Sequence, residues 1–300
     1  MIARDILAQV RRIEIMTGRL VSETFAGEYL SVFKGRGMEF ADIREYVPGD
    51  DIRAIDWNVT ARSDRPYIRQ YTEERELTVV IACDLSGSQF FGTAGKLKHE
   101  VAAELSAVLA FSALQNNDKV GLFLFTESVE KFIPAKKGRR HVLHLIRDVL
   151  AYEPRHRGTR LAPPLDTINR VLKRRCIVFL ISDFRVENAA DLAAFDKALK
   201  LSALKHDVIP VVIQDPREKA LPVLEALLEL EDPETGRRVL INARDKETLD
   251  LHARSESDRL AALDRMFRLY GLDTIRVSAG QSYIDPVIRF FRQRARRLRH

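Results

Sequence analysis

Asp84, Ser86 and Ser88 stand on alternate residues directly after the apolar run Leu77 to Cys83, so one carboxylate and two hydroxyls can turn their oxygens to one side of a short loop. Oxygen ligands of this kind suit a hard divalent cation, Mg2+ or Mn2+. The run before them is β-branched or small and apolar, the pattern of a strand covered on both faces. The motif therefore falls at the C-terminal edge, where open α/β sheets bind ligands. An Asp after a strand also serves as an N-cap or turn former, so the motif alone leaves both roles open. A second run, Cys176 to Ser182, has the same character and ends on Asp183. Between the two, Arg157-Gly158-Thr159-Arg160-Leu161 precedes a helical pattern and offers another hydroxyl. If the two strands are neighbours, Asp84, Ser86, Ser88 and Thr159 hold the ion, and Asp183 contributes directly or through water.

The set Asp84, Ser86, Ser88, Thr159 and Asp183 resembles the metal-ion-dependent adhesion site of von Willebrand factor type A domains, in order and in spacing. The block GRGMEFADIREYVPGDDIRAIDWNVTARSDRPYIRQYTEERE is similar to the bacterial domain-of-unknown-function 58 family. So are Gly138-Arg-Arg-His141, Ser182-Asp183-Phe184 and Asp232-Pro-Glu-Thr-Gly236. That resemblance spans nearly the whole chain. It implies a Rossmann-like von Willebrand factor type A fold, and a cytosolic partner of a MoxR-type AAA ATPase in protein assembly or maturation.

Neutral hydroxyl ligands leave the ion with net positive charge, and an Asp or Glu of a protein partner is then an effective further ligand. No general base accompanies the motif, so the leading expectation is a metal-dependent interaction module with no catalysis of its own. A metal-dependent phosphoesterase or nuclease is the alternative, working in the same cleft or through Asp50, Asp51, Asp56, Glu73 and Glu74. The arginines between these acids favour structural pairing. Gly92-Thr-Ala-Gly95-Lys96 fails as a phosphate loop because Leu97 stands where Ser or Thr is required. No GxGxxG follows a strand, and His141/His144 lacks an accompanying acid ligand for zinc.

A hydrophobic content of 46% over 300 residues supports a sizeable core. No stretch approaches the ~18 apolar residues of a membrane span, and the charged start MIARDILAQVRR does not read as a signal peptide. Together with two cysteines on separate strands, this predicts a cytoplasmic protein without a disulfide. The net charge of +6 is concentrated: residues 289–300 hold six arginines and no acid, leaving 43 basic and 43 acidic residues elsewhere. That tail reads as the solvated end of a last helix, with Phe290 and Phe291 anchoring it. The alternative is an anion-seeking arm for an acidic partner, lipid head groups or RNA. The leading expectation includes no nucleic-acid partner, and membrane contact only peripherally, through the tail.

Helical spacing of Ile2, Ile6, Val10 and Ile13 predicts an amphipathic first helix packed on the body of the protein. From about Phe25 to Glu76, Gly35, Gly37, Pro48, Gly49 and Pro66 break the apolar runs, so residues 1–76 are expected to form this helix and a small β-rich subdomain. Asp42, Arg44, Glu45, Asp50, Asp51, Arg53, Asp56, Arg62, Arg69, Glu73, Glu74 and Arg75 are expected to be mostly mutual ion pairs. Over 77–300 strands and helices alternate, predicting a mostly parallel sheet with helices on both faces. The strands are placed at 77–83, 119–125, 175–182, 207–213 and 273–277, with an antiparallel edge over 127–133. Helices are placed at 96–115, 139–150, 161–173, 189–204, 244–270 and 282–298, and a hairpin turns at Pro233-Glu-Thr-Gly236.

Overall fold

The structure, a computed structural model, describes residues 3–21, 29, 32–33, 38–63, 65–73, 76–93, 95–186 and 188–299. Ile2, Phe25, Gly35, Gly37, Glu74 and Arg75 lie outside the described residues, as do the side chains of Asp42, Arg69 and Glu73. In chain order the elements are α1 (Ala3–Leu20), β1 (Met38–Glu45), α2 (Trp57–Thr60), β2 (Tyr67–Glu73), β3 (Thr78–Asp84) and α3 (Lys98–Gln115). Then follow β4 (Lys119–Phe125), β5 (Val129–Lys136), α4 (Arg139–Ala151), α5 (Ala162–Val171), β6 (Ile177–Ser182), α6 (Ala189–Lys205) and β7 (Asp207–Gln214). The chain ends with α7 (Pro216–Lys219), β8 (Leu227–Glu231), β9 (Arg238–Asn242), α8 (Lys246–Leu269), β10 (Ile275–Ser278) and α9 (Ile284–Arg299).

Period-2 alternation explains how the apolar strands serve two cores at once. In β3, Val79, Ile81 and Cys83 face a cluster that includes Val101, Leu105, Val142 and Val287 from α3, α4 and α9. Val80 and Ala82 face the opposite cluster, with Leu165, Phe195 and Leu263 from α5, α6 and α8. Both faces are covered, as a parallel sheet requires. The six strands run β10-β7-β6-β3-β4-β5, all parallel except β5, which is antiparallel to β4. The chain leaves β3 toward β4 on one side and returns through β6 on the other, so the topological switch point lies between β3 and β6. This is the α/β arrangement of a von Willebrand factor type A fold, and every expected strand and helix is present within a few residues of its expected bounds.

The first helix packs as expected: Val10 and Ile13 belong to the same buried cluster as the sheet. Tyr29 donates to Asp118 Oδ2 at 3.0 Å and lies edge-on to Phe291. Within residues 1–76, then, α1 is built into the α/β body, while β1 and β2 form a separate antiparallel pair with α2 beside it. There Arg44 grips both oxygens of Asp50 at 2.7 Å and Arg65 meets Glu45 at 2.8 Å. Asp51 and Asp56 cap the turns that follow them by accepting from Arg53 N and Asn58 N. These three acids are engaged locally and do not converge as a nuclease centre. The basic tail is the end of α9: Phe290 and Phe291 are buried, Arg294 is paired with Asp207, and Arg297 with Asp273.

Two histidines inside the body couple folding to pH. His99 is 5% exposed and stacks on Phe90, with ring centroids 4.9 Å apart. Burial lowers its pKa, and at His206 burial together with Lys205 and Arg175 does the same. Both therefore take up a proton at lower pH in the folded chain than in the unfolded chain, which does so as pH falls through ~6.5. The stability they contribute is therefore complete above that pH and is lost below it. Because the buried Asp84 titrates in the opposite sense, the effect is read as a difference: the urea midpoint of His99→Phe relative to the parent should rise from about pH 7.5 to about pH 5.5. A variant midpoint as pH-sensitive as the parent's would contradict this assignment.

Candidate metal centre

Register alone brings the two strand-end acids together. Cys83 lies opposite Ile181 in the β3–β6 ladder, so Asp84 and Ser182 follow side by side and Asp183 comes next. Asp84 is 1% exposed; its Oδ1 accepts from Ser86 N at 2.8 Å and its Oδ2 from Ser182 Oγ at 2.6 Å. The turn that Asp84 makes with Ser86 N starts a 3-10 turn over Gly87–Phe90, which places the Ser86 and Ser88 hydroxyls 3.2 Å apart, both buried. Thr159 reaches the same place because Gly87 N donates to Arg157 O at 2.7 Å and Arg160 N to Thr126 O at 3.1 Å. Its hydroxyl is buried too.

Asp183 is held by a residue that the sequence reading did not single out. Lys98, at the start of α3 and fully buried, places Nζ 2.6 Å from Asp183 Oδ2 and 2.6 Å from Glu218 Oε1. Burial opposes the charge on Lys98, but Asp183 and Glu218 outweigh it and raise the pKa. Burial likewise opposes ionisation of Asp183, yet Lys98, Arg185 and the Ser88 hydroxyl hold the carboxyl below its usual range. At Asp84 burial, then the charge of Asp183, push the carboxyl well up, against the donors Ser182 Oγ and Ser86 N. The charges continue outward through Arg185, 2.9 Å from Glu256, and Arg259, 3.1 Å from Glu256. Arg259 closes the ring by donating to the carbonyls of Asp183 and Phe184 at 3.3 and 3.2 Å.

Phe184 adopts φ 56°, a left-handed conformation rare for a bulky residue. Its N–H donates to Ser182 Oγ at 2.9 Å, and its ring packs on Phe195 and Phe267. These contacts and Arg259 offset the strain and turn the chain sharply enough for Asp183 to face the crevice.

The hairpin of β8 and β9 supplies a further residue absent from the expected set. Glu234, in its turn, accepts from Thr159 Oγ1 at 2.7 Å. Burial raises its pKa, the Thr159 hydroxyl opposes this, and Asp183 adds to the rise. Neither Lys98 nor Glu234 belongs to a motif of its own in the sequence. The signal for Lys98 was its helix, apolar on all sides, which leaves a lysine no exposed face. For Glu234 no comparable signal exists.

Asp84, Ser86, Ser88, Thr159 and Asp183 thus lie around one crevice, and Glu234 enters it from the hairpin. Among the described residues, no three histidine, cysteine or carboxylate side chains form a ready metal cage. The donor set fits a hard cation through its hydroxyls and through an excess of carboxylate over ammonium charge. His141 and His144 do not join it: His141 Nε2 bonds Val120 O at 2.8 Å, and His144 Nδ1 bonds Arg147.

The family model described as "Protein of unknown function DUF58" matches residues 42–261. Uncharacterized protein Rv1480 of Mycobacterium tuberculosis is 28% identical over 291 residues, 96% of this chain and 90% of that protein. Uncharacterized protein YeaD of Bacillus subtilis is 26% identical over 107 residues, 36% of this chain and 25% of YeaD. Among solved structures, BatB from Bacteroides thetaiotaomicron is similar at 17% identity and a TM-score of 0.45, over 73% of this chain and 99% of BatB. The SpRpn10 VWA domain is similar at 12% identity and a TM-score of 0.41, over 71% of this chain and 94% of that domain. The strand order itself carries the fold.

Removing one member of a buried ion pair strands its partner's charge. Lys98→Ala should therefore cost about 3–5 kcal/mol in urea unfolding. A loss below about 1 kcal/mol, the value of an exposed pair, would show that Asp183 does not depend on this ammonium.

Proposed function

The chain belongs to the DUF58 family, and from that premise we propose that it is a protein-interaction module whose binding depends on Mg2+ or Mn2+ at the β3–β6 switch point. The observation that carries this reading is the charge of the crevice. Asp84 and Asp183 share it, the hydroxyls of Ser86, Ser88 and Thr159 line it, and of the two acids it is Asp183 that Lys98 pairs with, together with Glu218. A divalent ion would relieve Asp84, and the hydroxyls would complete its ligation without neutralising it.

In this reading Asp84, Ser86, Ser88 and Thr159 hold the ion, and Asp183, fixed by Lys98, orients a ligating water or ligates directly. The bound ion supplies an electrophilic anchor for a carboxylate. The residues around it determine which carboxylate enters. A cleft of about 800 Å3 opens beside Ser88 and Glu234, walled by Phe91, Val186, Leu221 and Leu228. It suits an Asp or Glu flanked by apolar residues. We assign no catalytic step to the chain. A MoxR-type AAA ATPase is the proposed partner, in assembly or maturation of other proteins. No helix among the described residues is long and apolar enough to cross a membrane, and Cys83 and Cys176 are buried free thiols. These features support a cytoplasmic setting.

Calorimetric titration of Mg2+ and Mn2+ should give binding to the parent chain and none to Asp84→Ala, whose far-UV spectrum should stay that of the parent. Capture of a MoxR-type ATPase should then require the metal and fail in the same variant. Equal binding by parent and variant would overturn the site; capture that is indifferent to chelator would overturn its role.

A further inference from the structure

We infer that Glu234 is this chain's own carboxylate ligand for the coordination position that a partner's acid would take, so that the β8–β9 hairpin closes the site until it is displaced. The inference rests on the metal reading above and adds what competes for the ion.

Three observations carry it. Glu234 accepts from the Thr159 hydroxyl at 2.7 Å, so its carboxylate is already at a proposed ligand. The turn that presents it is fixed from within. Asp232 accepts from Glu234 N at 3.0 Å and from Thr235 Oγ1 at 2.6 Å, and Gly236 N donates to Asp232 O at 2.7 Å with Gly236 at φ 70°. The turn is also seated directly on the motif. A Cβ on Gly87 would stand 2.2 Å from the Pro233 carbonyl oxygen, a backbone atom that cannot move aside cheaply. Glycine between Ser86 and Ser88 is therefore what lets the hairpin approach.

Charge gives the same answer. Asp183, Glu218 and Glu256 are balanced by Lys98, Arg185 and Arg259, which leaves Asp84 and Glu234 as two carboxylates for one divalent ion. With both bound, the centre is neutral and a partner's carboxylate gains little by approaching. With Glu234 withdrawn, the ion regains net positive charge and an open position. Withdrawal also lifts Pro233 from Gly87 and widens the cleft, whose walls include Leu228, Leu230 and Pro233 of the hairpin. A partner must outcompete Glu234, and any contact that draws the hairpin away makes the site more receptive.

The bland reading makes Glu234 a turn residue whose carboxylate happens to accept from Thr159. Mn2+ alone separates the two. Glu234→Gln keeps the shape of the side chain and should weaken Mn2+ binding in calorimetry by at least about tenfold, the lower range for loss of a supporting group at a metal site. In the parent, saturating Mn2+ should slow amide hydrogen exchange over residues 231–238, and Glu234→Gln should remove that protection. Water-proton relaxation should show about one more water on the ion in the variant, since small hard cations fill vacated positions with water. Equal Mn2+ affinity in parent and variant, with hairpin exchange unmoved by the metal, would overturn the assignment and leave the metal site standing. Failure of the parent to bind Mn2+ at all would overturn the site and this inference together.

Discussion

Two carboxylates placed side by side in a buried crevice are the constraint around which the rest of this site is arranged. The β3–β6 ladder leaves no choice: with Cys83 opposite Ile181, the chain must continue into Asp84 and Asp183 at the same edge. Like charges at this separation, out of water, cannot both ionise without help. One of them receives it from Lys98, whose ammonium is fully buried and bridges Asp183 and Glu218. Arg185, Glu256 and Arg259 extend the pairing back to the main chain of Asp183 and Phe184, so the ring fixes both the carboxylate and the strained turn beneath it. The left-handed Phe184 costs on the order of 1–3 kcal/mol, a cost that surrounding structure must over-determine for it to persist. Its two aromatic neighbours and the Arg259 donors are that structure.

The sheet was legible because parallel strands buried on both faces are continuous apolar runs, and here those runs end on acids. Helix bounds fell within a few residues for a similar reason, since the crossover helices show their spacing between short loops. That Asp84, Ser86, Ser88, Thr159 and Asp183 come together was legible as a pattern, because they follow strand ends and a Gly-Thr loop. Lys98 was not, since single lysines at helix starts are ordinary surface residues. Only the helix behind it, buried from Val101 to Ala113 almost without interruption, distinguishes it. Glu234 was hidden by distance: 75 residues separate it from Thr159, and nothing local in Asp-Pro-Glu-Thr-Gly says where the turn will dock. In the N-terminal block the expected mutual pairing holds for Arg44–Asp50, while Glu45 pairs with Arg65, outside the expected set, and Asp51 and Asp56 cap turns instead.

The excess positive charge sits in the last helix, where six arginines without an acid leave a free arm open as the alternative to a helix end. The fold uses part of it internally: Arg294 pairs with Asp207 and lies over the rings of Phe33 and Phe290, at 5.1 and 5.8 Å from their centroids, and Arg297 pairs with Asp273. The guanidinium stem and its charge thus anchor α9 across the starts of β7 and β10. A net charge computed from residue counts cannot separate such structural arginines from solvated ones.

The connection from β7 to β10 contains more chain than a crossover needs. Helix α8 alone would bridge the two strands, yet a hairpin is inserted before it, and the residues of β8 and β9 are mostly exposed. Two strands without a third have little stability of their own. The position of this hairpin must then depend on its few points of attachment, and its turn is one of them, through Pro233 on Gly87 and Glu234 on Thr159. Contacts that favour one position of the hairpin are felt at the other end. Coupling of this kind is reciprocal: whatever stabilises the occupied crevice also orders the hairpin, and whatever engages the hairpin changes the crevice. Such an insertion is better suited to a binding surface that must be opened than to a rigid one.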